Sequence, residues 1–68
     1  MKEVIMYKIS QFSKISGLTI KALRYYDQEN ILRPTLRKEE NQYRYYCDED
    51  LKIAQLIIFL RTLNFSIM

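Results

Sequence analysis

Gly17 is the single glycine in a chain of 68 residues. It marks the one place where the backbone can turn left-handed without steric cost. It sits in the stretch ISGLT, between two segments of helical periodicity. Ahead of it, Ile9, Phe12 and Ile15 recur at helical spacing, and Ser10 can accept from the free N–H groups of a first turn. This predicts a helix over about Gln11 to Ser16, ended by Gly17. Behind it, Thr19 reads as an N-cap. Leu18 and Leu23 stand where a hydrophobic staple places them, which predicts a second helix to about Glu29 or Asn30. Two short helices about a tight turn containing glycine make the sequence form of a helix-turn-helix, here at about residues 10–30.

Pro34 prevents any helix from running through it. The segments TLR and YRYY that follow are strand-like, and the polar KEENQ between them suits a hairpin loop. A hairpin wing is therefore expected over about residues 33–46, with Asn41 supplying a positive φ at the turn. A tiny strand is expected at Tyr7 to Ile9. Asp48 or Cys47 caps a last helix that runs to about Leu63, with Asp50 in its first turn and Asn64 as its left-handed end. Ser66 has the form of a cap for one more helix. The fold class is mainly α, with one small β-hairpin.

Composition narrows the function. One cysteine and no histidine exclude a disulfide within the chain and a Cys/His zinc site, and Cys47 reads as a small buried filler. No Gly-rich phosphate loop and no nucleophile with a base is visible, so no enzyme and no cofactor is expected. The longest apolar run, Leu56 to Leu60, is too short to span a bilayer, and the start lacks a signal-peptide core, so a cytoplasmic setting is expected. Net charge is +3, and its distribution is uneven. Residues 1–46 hold nine basic and five acidic side chains, and residues 47–68 hold two and three. A basic first part suits a polyanion.

The second helix gives that charge a face. At about 100° per residue, Ile20, Ala22, Leu23 and Tyr26 fall on one side, and Lys21, Arg24, Tyr25 and Gln28 on the other. Two cations, a phenol and an amide on one helix face suit the major groove of double-stranded DNA. Residues near the start of such a helix reach base edges. Thr19 and Lys21 are thus expected at bases, and Arg24 and Tyr25 at the backbone.

The tripeptide RYY occurs at Arg24–Tyr26 and again at Arg44–Tyr46. In a strand, alternate side chains share a face, so Arg44 goes with Tyr46 and Tyr43 with Tyr45. An unpaired arginine is costly to bury. Arg44 is therefore expected outward, at a phosphate, with Arg37 and Lys38 adding charge to the same wing. Glu39 and Glu40 argue against the hairpin tip entering a groove.

Taken together, GLTIKALRYYD, then YRYY before an acidic helix start, then LRTLNFS, resemble the N-terminal DNA-binding domain of the MerR family of bacterial transcription regulators. The resemblance covers about Tyr7 to Ile67. It implies a winged helix-turn-helix whose wings are the hairpin around Arg37 to Arg44 and a helix pair that begins at Asp48. Carried over by position, Thr19, Lys21, Arg24 and Tyr25 match the recognition helix, Arg37, Tyr43 and Arg44 the first wing, and Arg61 a second-wing contact with the DNA backbone. Three positions depart from the family pattern. Gln42, after Asn41, and Asn64 stand where glycines are usual, and Cys47 stands where Ser or Asp is common.

The resemblance also implies a homodimer on a palindromic promoter, which is bent and untwisted so that RNA polymerase can engage it. A dimerisation helix and an effector domain are expected beyond this chain. The last helix agrees. Leu51, Ala54 and Ile58 form one stripe, Ile53, Ile57 and Leu60 a second, and Leu56, Phe59 and Leu63 extend it. One side is expected in the domain's own core, the other against the missing helix or a second copy. The alternative is a single-domain, excisionase-like or architectural DNA-binding protein that answers to no inducer.

Overall fold

A computed structural model describes residues 3–38, 40, 41 and 43–64. Glu39 and Gln42 in the hairpin, and Ser66 with its expected cap, lie outside the described residues. In chain order the elements are β1 (Tyr7–Lys8), α1 (Ile9–Ser16), α2 (Ile20–Gln28), β2 (Leu36–Lys38), β3 (Tyr43–Tyr46) and α3 (Asp48–Thr62).

α1 begins earlier than the position of Ser10 suggests. Its N-cap is Lys8, whose backbone N–H donates to the Gln11 side-chain oxygen at 3.0 Å, so Ser10 lies inside the first turn. Gly17 ends the helix as expected, at φ 85°, and its N–H donates to the Ser13 carbonyl. Two serines then tie the turn. The Ser13 hydroxyl donates to the Leu18 carbonyl at 2.6 Å, and the Leu18 N–H donates to Ser16 Oγ at 3.2 Å. Thr19 caps α2, accepting from the Ala22 N–H at 3.0 Å, and Leu18 and Leu23 are both buried. α2 closes with Asn30 at φ 59°. The Asn30 N–H donates to the Asp27 carbonyl and the Ile31 N–H to the Tyr26 carbonyl, the pair of bonds that makes a Schellman end.

The hairpin is part of a larger sheet. β3 is central, with antiparallel β1 on one side and β2 on the other, and Tyr7 lies opposite Tyr46. The strand expected at residues 7–9 is thus an edge of the wing's own sheet. Asn41 serves the turn differently than expected. Positive φ among the described residues occurs at Gly17, Asn30 and Asn64. The Asn41 side-chain oxygen instead accepts from the Tyr43 N–H at 3.0 Å, a local side-chain turn.

The core joins Phe12, Leu18, Leu23, Tyr26, Leu32, Tyr46, Ala54 and Ile57. Phe12 and Tyr46 stack with ring centroids 4.4 Å apart. Ile15, which shares the helical spacing of Phe12, is exposed, whereas Ser16 is buried. On α3, Ile57 joins Ala54 in the core, whereas Ile53, Leu56, Phe59 and Leu63 are exposed. α3 starts at the Cys47 cap, where the Asp50 carboxylate accepts from the Cys47 N–H at 3.0 Å and from the Thr35 hydroxyl at 2.5 Å. Asn64 ends it at φ 61°, as expected. No described helix is long and apolar enough to cross a membrane.

Candidate nucleic-acid interface

α2 and the hairpin pack so that their polar sides meet. A cleft between them is lined by Arg24, Asp27, Gln28, Asn30, Arg33, Arg37 and Arg44, four cations around one carboxylate. A second cleft, bounded by Lys8, Ile9, Ser10, Arg24, Tyr43 and Arg44, opens on the other side of Arg24. Arg24 and Arg44 therefore line both, and the two copies of RYY meet in space at their arginines.

The surroundings of Arg44 add a partner that the sequence reading lacked. The Arg44 and Tyr46 face of β3 turns toward α2, with Tyr46 fully buried and Arg44 part-exposed in the clefts. Arg44 pays no penalty of an unpaired charge there, because its Nε donates to Asp27 Oδ2 at 2.8 Å. Arg37, the direct cross-strand partner of Arg44, donates from a terminal nitrogen to both oxygens of the same carboxylate. Burial pushes the Asp27 pKa upward, but the hydrogen bonds and charges of Arg44 and Arg37 outweigh it and hold the group below its ordinary 3.8. Lys38 and Tyr43 are paired across the ladder on the opposite face, where the Lys38 ammonium lies 5.5 Å from the centre of the Tyr45 ring. Arg37 and Lys38 thus charge opposite faces of the wing.

The remaining expected residues take distinct places. Thr19 and Lys21 are exposed near the start of α2, outside both clefts, and the Thr19 hydroxyl keeps its proton free to donate while it caps the helix. Tyr25 is half-buried, edge-on to Tyr26 with centroids 5.8 Å apart, so its ring is braced by the core. Tyr43 is exposed on the wing. Arg61 lies apart from the arginine cleft, beside Gly17, Ile58 and Thr62 at the turn between α1 and α2. Sequence reasoning missed Arg33 and Asn30, which fall in an irregular segment, and the service Asp27 performs. Asp27 carried no signal in the sequence, because only the fold sets Arg37 opposite Arg44 and calls for a shared counter-charge.

A three-helix core with a helix-turn-helix, a β-hairpin wing and a cationic cleft between them defines a winged helix-turn-helix module. The sequence matches the MerR HTH family regulatory protein profile over residues 7–68, and the chain belongs to that family. It is 40% identical over 55 residues to the multidrug-efflux transporter 1 regulator of Bacillus subtilis, covering 81% of this chain and 20% of the relative. It is 42% identical over 60 residues to heavy metal-dependent transcription regulator 1 of Rhizobium meliloti, covering 87% and 40%. Among solved structures, an EcmrR–DNA complex seen by cryo-electron microscopy superposes with a TM-score of 0.86 at 39% identity, covering 90% of this chain and 23% of that one. The N-terminal part of the Bacillus subtilis multidrug transporter activator, MtaN, superposes at 0.78 with 35% identity, covering 88% and 56%. The chain thus spans between a fifth and rather less than half of the curated relatives it matches.

Proposed function

We propose that the chain is the DNA-reading part of a transcription regulator that binds double-stranded DNA. α2 enters the major groove, and the hairpin rests on the flanking backbone. The observation that carries this is the cleft between α2 and the wing, where Arg24, Arg33, Arg37 and Arg44 surround a single carboxylate. Thr19 and Lys21, exposed at the start of α2, reach base edges. Arg24 and Tyr25 meet the phosphates beside them, and Arg37, Tyr43 and Arg44 meet phosphates from the wing. Arg61, at the helix-turn-helix turn, makes a separate contact with the backbone.

The superposition on a protein solved in complex with DNA supports the reading. The regulator acts as a homodimer on a palindromic promoter. Bending and untwisting the promoter presents it to RNA polymerase, so that deformability of the DNA adds to base contacts.

The test is binding of labelled duplex DNA, followed by fluorescence anisotropy across a range of salt. The logarithm of the association constant is expected to fall linearly with the logarithm of salt, by about 0.9 per phosphate neutralised. Binding that ignores salt overturns the proposal.

A further inference from the structure

We infer that Asp27 is a positioning residue for DNA binding, which aims the Arg37 and Arg44 guanidinium groups at one backbone phosphate over the cleft beside Arg24. The inference rests on the DNA-binding reading above.

A carboxylate in a surface meant for phosphates is an electrostatic liability unless it performs a service. Here the service can be read from the geometry. Arg37 and Arg44 are exact register partners on β2 and β3, and like charges placed opposite each other on a ladder repel. Left alone, the two long side chains would splay apart. Asp27 accepts from both, and the trio keeps a net charge of +1.

The carboxylate is itself held firmly. Its side chain is 4% exposed. It stands in the last turn of α2, directly after the buried Tyr26, and its carbonyl accepts from the Asn30 N–H that closes the helix. The aim of the two arginines is therefore fixed by the body of the recognition helix.

Among the described residues the arginines keep most of their donors. A guanidinium has five N–H groups. Arg44 uses its Nε, and Arg37 uses one terminal nitrogen. Their side chains remain 26% and 36% exposed, against 4% for the carboxylate they share. The free donors thus face the cleft while the carboxylate stays beneath them. Two pre-aimed forks beside Arg24 match the oxygens of a single phosphate, and holding them in advance removes the cost of ordering them on binding. The same carboxylate also ties α2 to the wing, so groove and backbone contacts keep one spacing.

The experiment uses the complete natural chain, a duplex selected by that chain from a random pool, and an unselected mixed-sequence duplex. A set of selected duplexes carries a neutral methylphosphonate at one position each. In the wild type, neutralising the clamped phosphate is expected to weaken binding roughly tenfold or more, the worth of one or two charge-assisted hydrogen bonds. In Asp27→Asn that penalty is expected to vanish at this phosphate and persist at the others. A general loss of structure would lower all positions alike.

Should Asp27→Asn fail to fold, as judged by its melting curve, Arg37→Gln and Arg44→Gln replace it. Each is expected to lose the penalty at the same phosphate, and loss at two different phosphates overturns the shared aim. An Asp27→Asn chain that folds and keeps every penalty overturns the role of Asp27 alone. A wild type that binds neither duplex overturns the DNA reading itself.

Discussion

The phenolic oxygen of Tyr46 is buried without a hydrogen-bond partner among the described residues. Burial, and then the charge of Asp27, push its pKa up to about 12. Because the folded pKa lies above the unfolded one, stability is at its full value below pH 10 and falls as pH rises from 10 toward 12, where the unfolded chain ionises first. Tyr46→Phe is expected to keep or raise stability at neutral pH by about 1 kcal/mol, because no bond is lost and a desolvated hydroxyl is removed. Chemical denaturation at pH 7 and again between pH 10 and 12 checks both parts, and the variant should lose less stability on the alkaline side. At the DNA face, Lys21→Ala is expected to cost roughly 1–3 kcal/mol at the selected site and little elsewhere, whereas Arg44→Ala weakens every sequence about equally. Competition binding against mixed DNA separates them. The exposure of Lys21 and Arg24 could be read from helical spacing alone, since an N-capped amphipathic helix fixes which side is wet, whereas Tyr25 is half-buried against the core. The pairing of Arg44 with Asp27 could not be read that way. It depends on a carboxylate 17 positions away.

Caps and turns carry most of the information at the level of elements. Gly17 sits at φ 85°, and a methyl group added there would lie 3.6 Å from Ile58 Cδ1, an ordinary contact. The cost of Gly17→Ala is therefore backbone strain and not collision, about 1–2 kcal/mol. It should appear as a lowered denaturation midpoint with an unchanged denaturant slope. A much larger loss would mean that the Ile58 contact cannot adjust. The helix-turn-helix was legible because Gly17, Thr19, Leu18 and Leu23 act within a few residues of one another. α3 was legible at both ends for the same reason, through Cys47 with Asp50 and through Asn64. The wing was legible as a hairpin and the tiny strand at its edge was expected, but the pairing of that strand with β3 was not. Tyr7 and Lys8 form a two-residue strand only because β3 is there to pair with, and nothing in so short a segment names its partner.

Charge and apolar surface are segregated across the molecule. The arginines gather between α2 and the wing, and α3 presents Ile53, Leu56, Phe59 and Leu63 to solvent, with Leu56 and Phe59 56% and 58% exposed. A contiguous stripe of this kind favours association. The 68-residue chain is expected to self-associate at high concentration, and Leu56→Glu with Phe59→Glu to shift it to monomer in sedimentation equilibrium. A wild type that stays monomeric throughout would count against α3 as a dimer surface. The split of α3 into a buried and an exposed side was foreseen in outline, but the placing of Ile57 was not, since LIIFL is apolar all round and gives no phase.

The edge strand β1 gives the wing an unusual dependence. Tyr7 pairs with Tyr46, and its hydroxyl donates to Asp48 Oδ1 at 3.0 Å, 41 positions along the chain. Tyr7 and Lys8 thus find their place only once nearly the whole domain has been synthesised. A change that disturbs residues 7 and 8 therefore acts on the hairpin. Damage at these two residues would be felt at the cationic cleft that the middle of the chain builds.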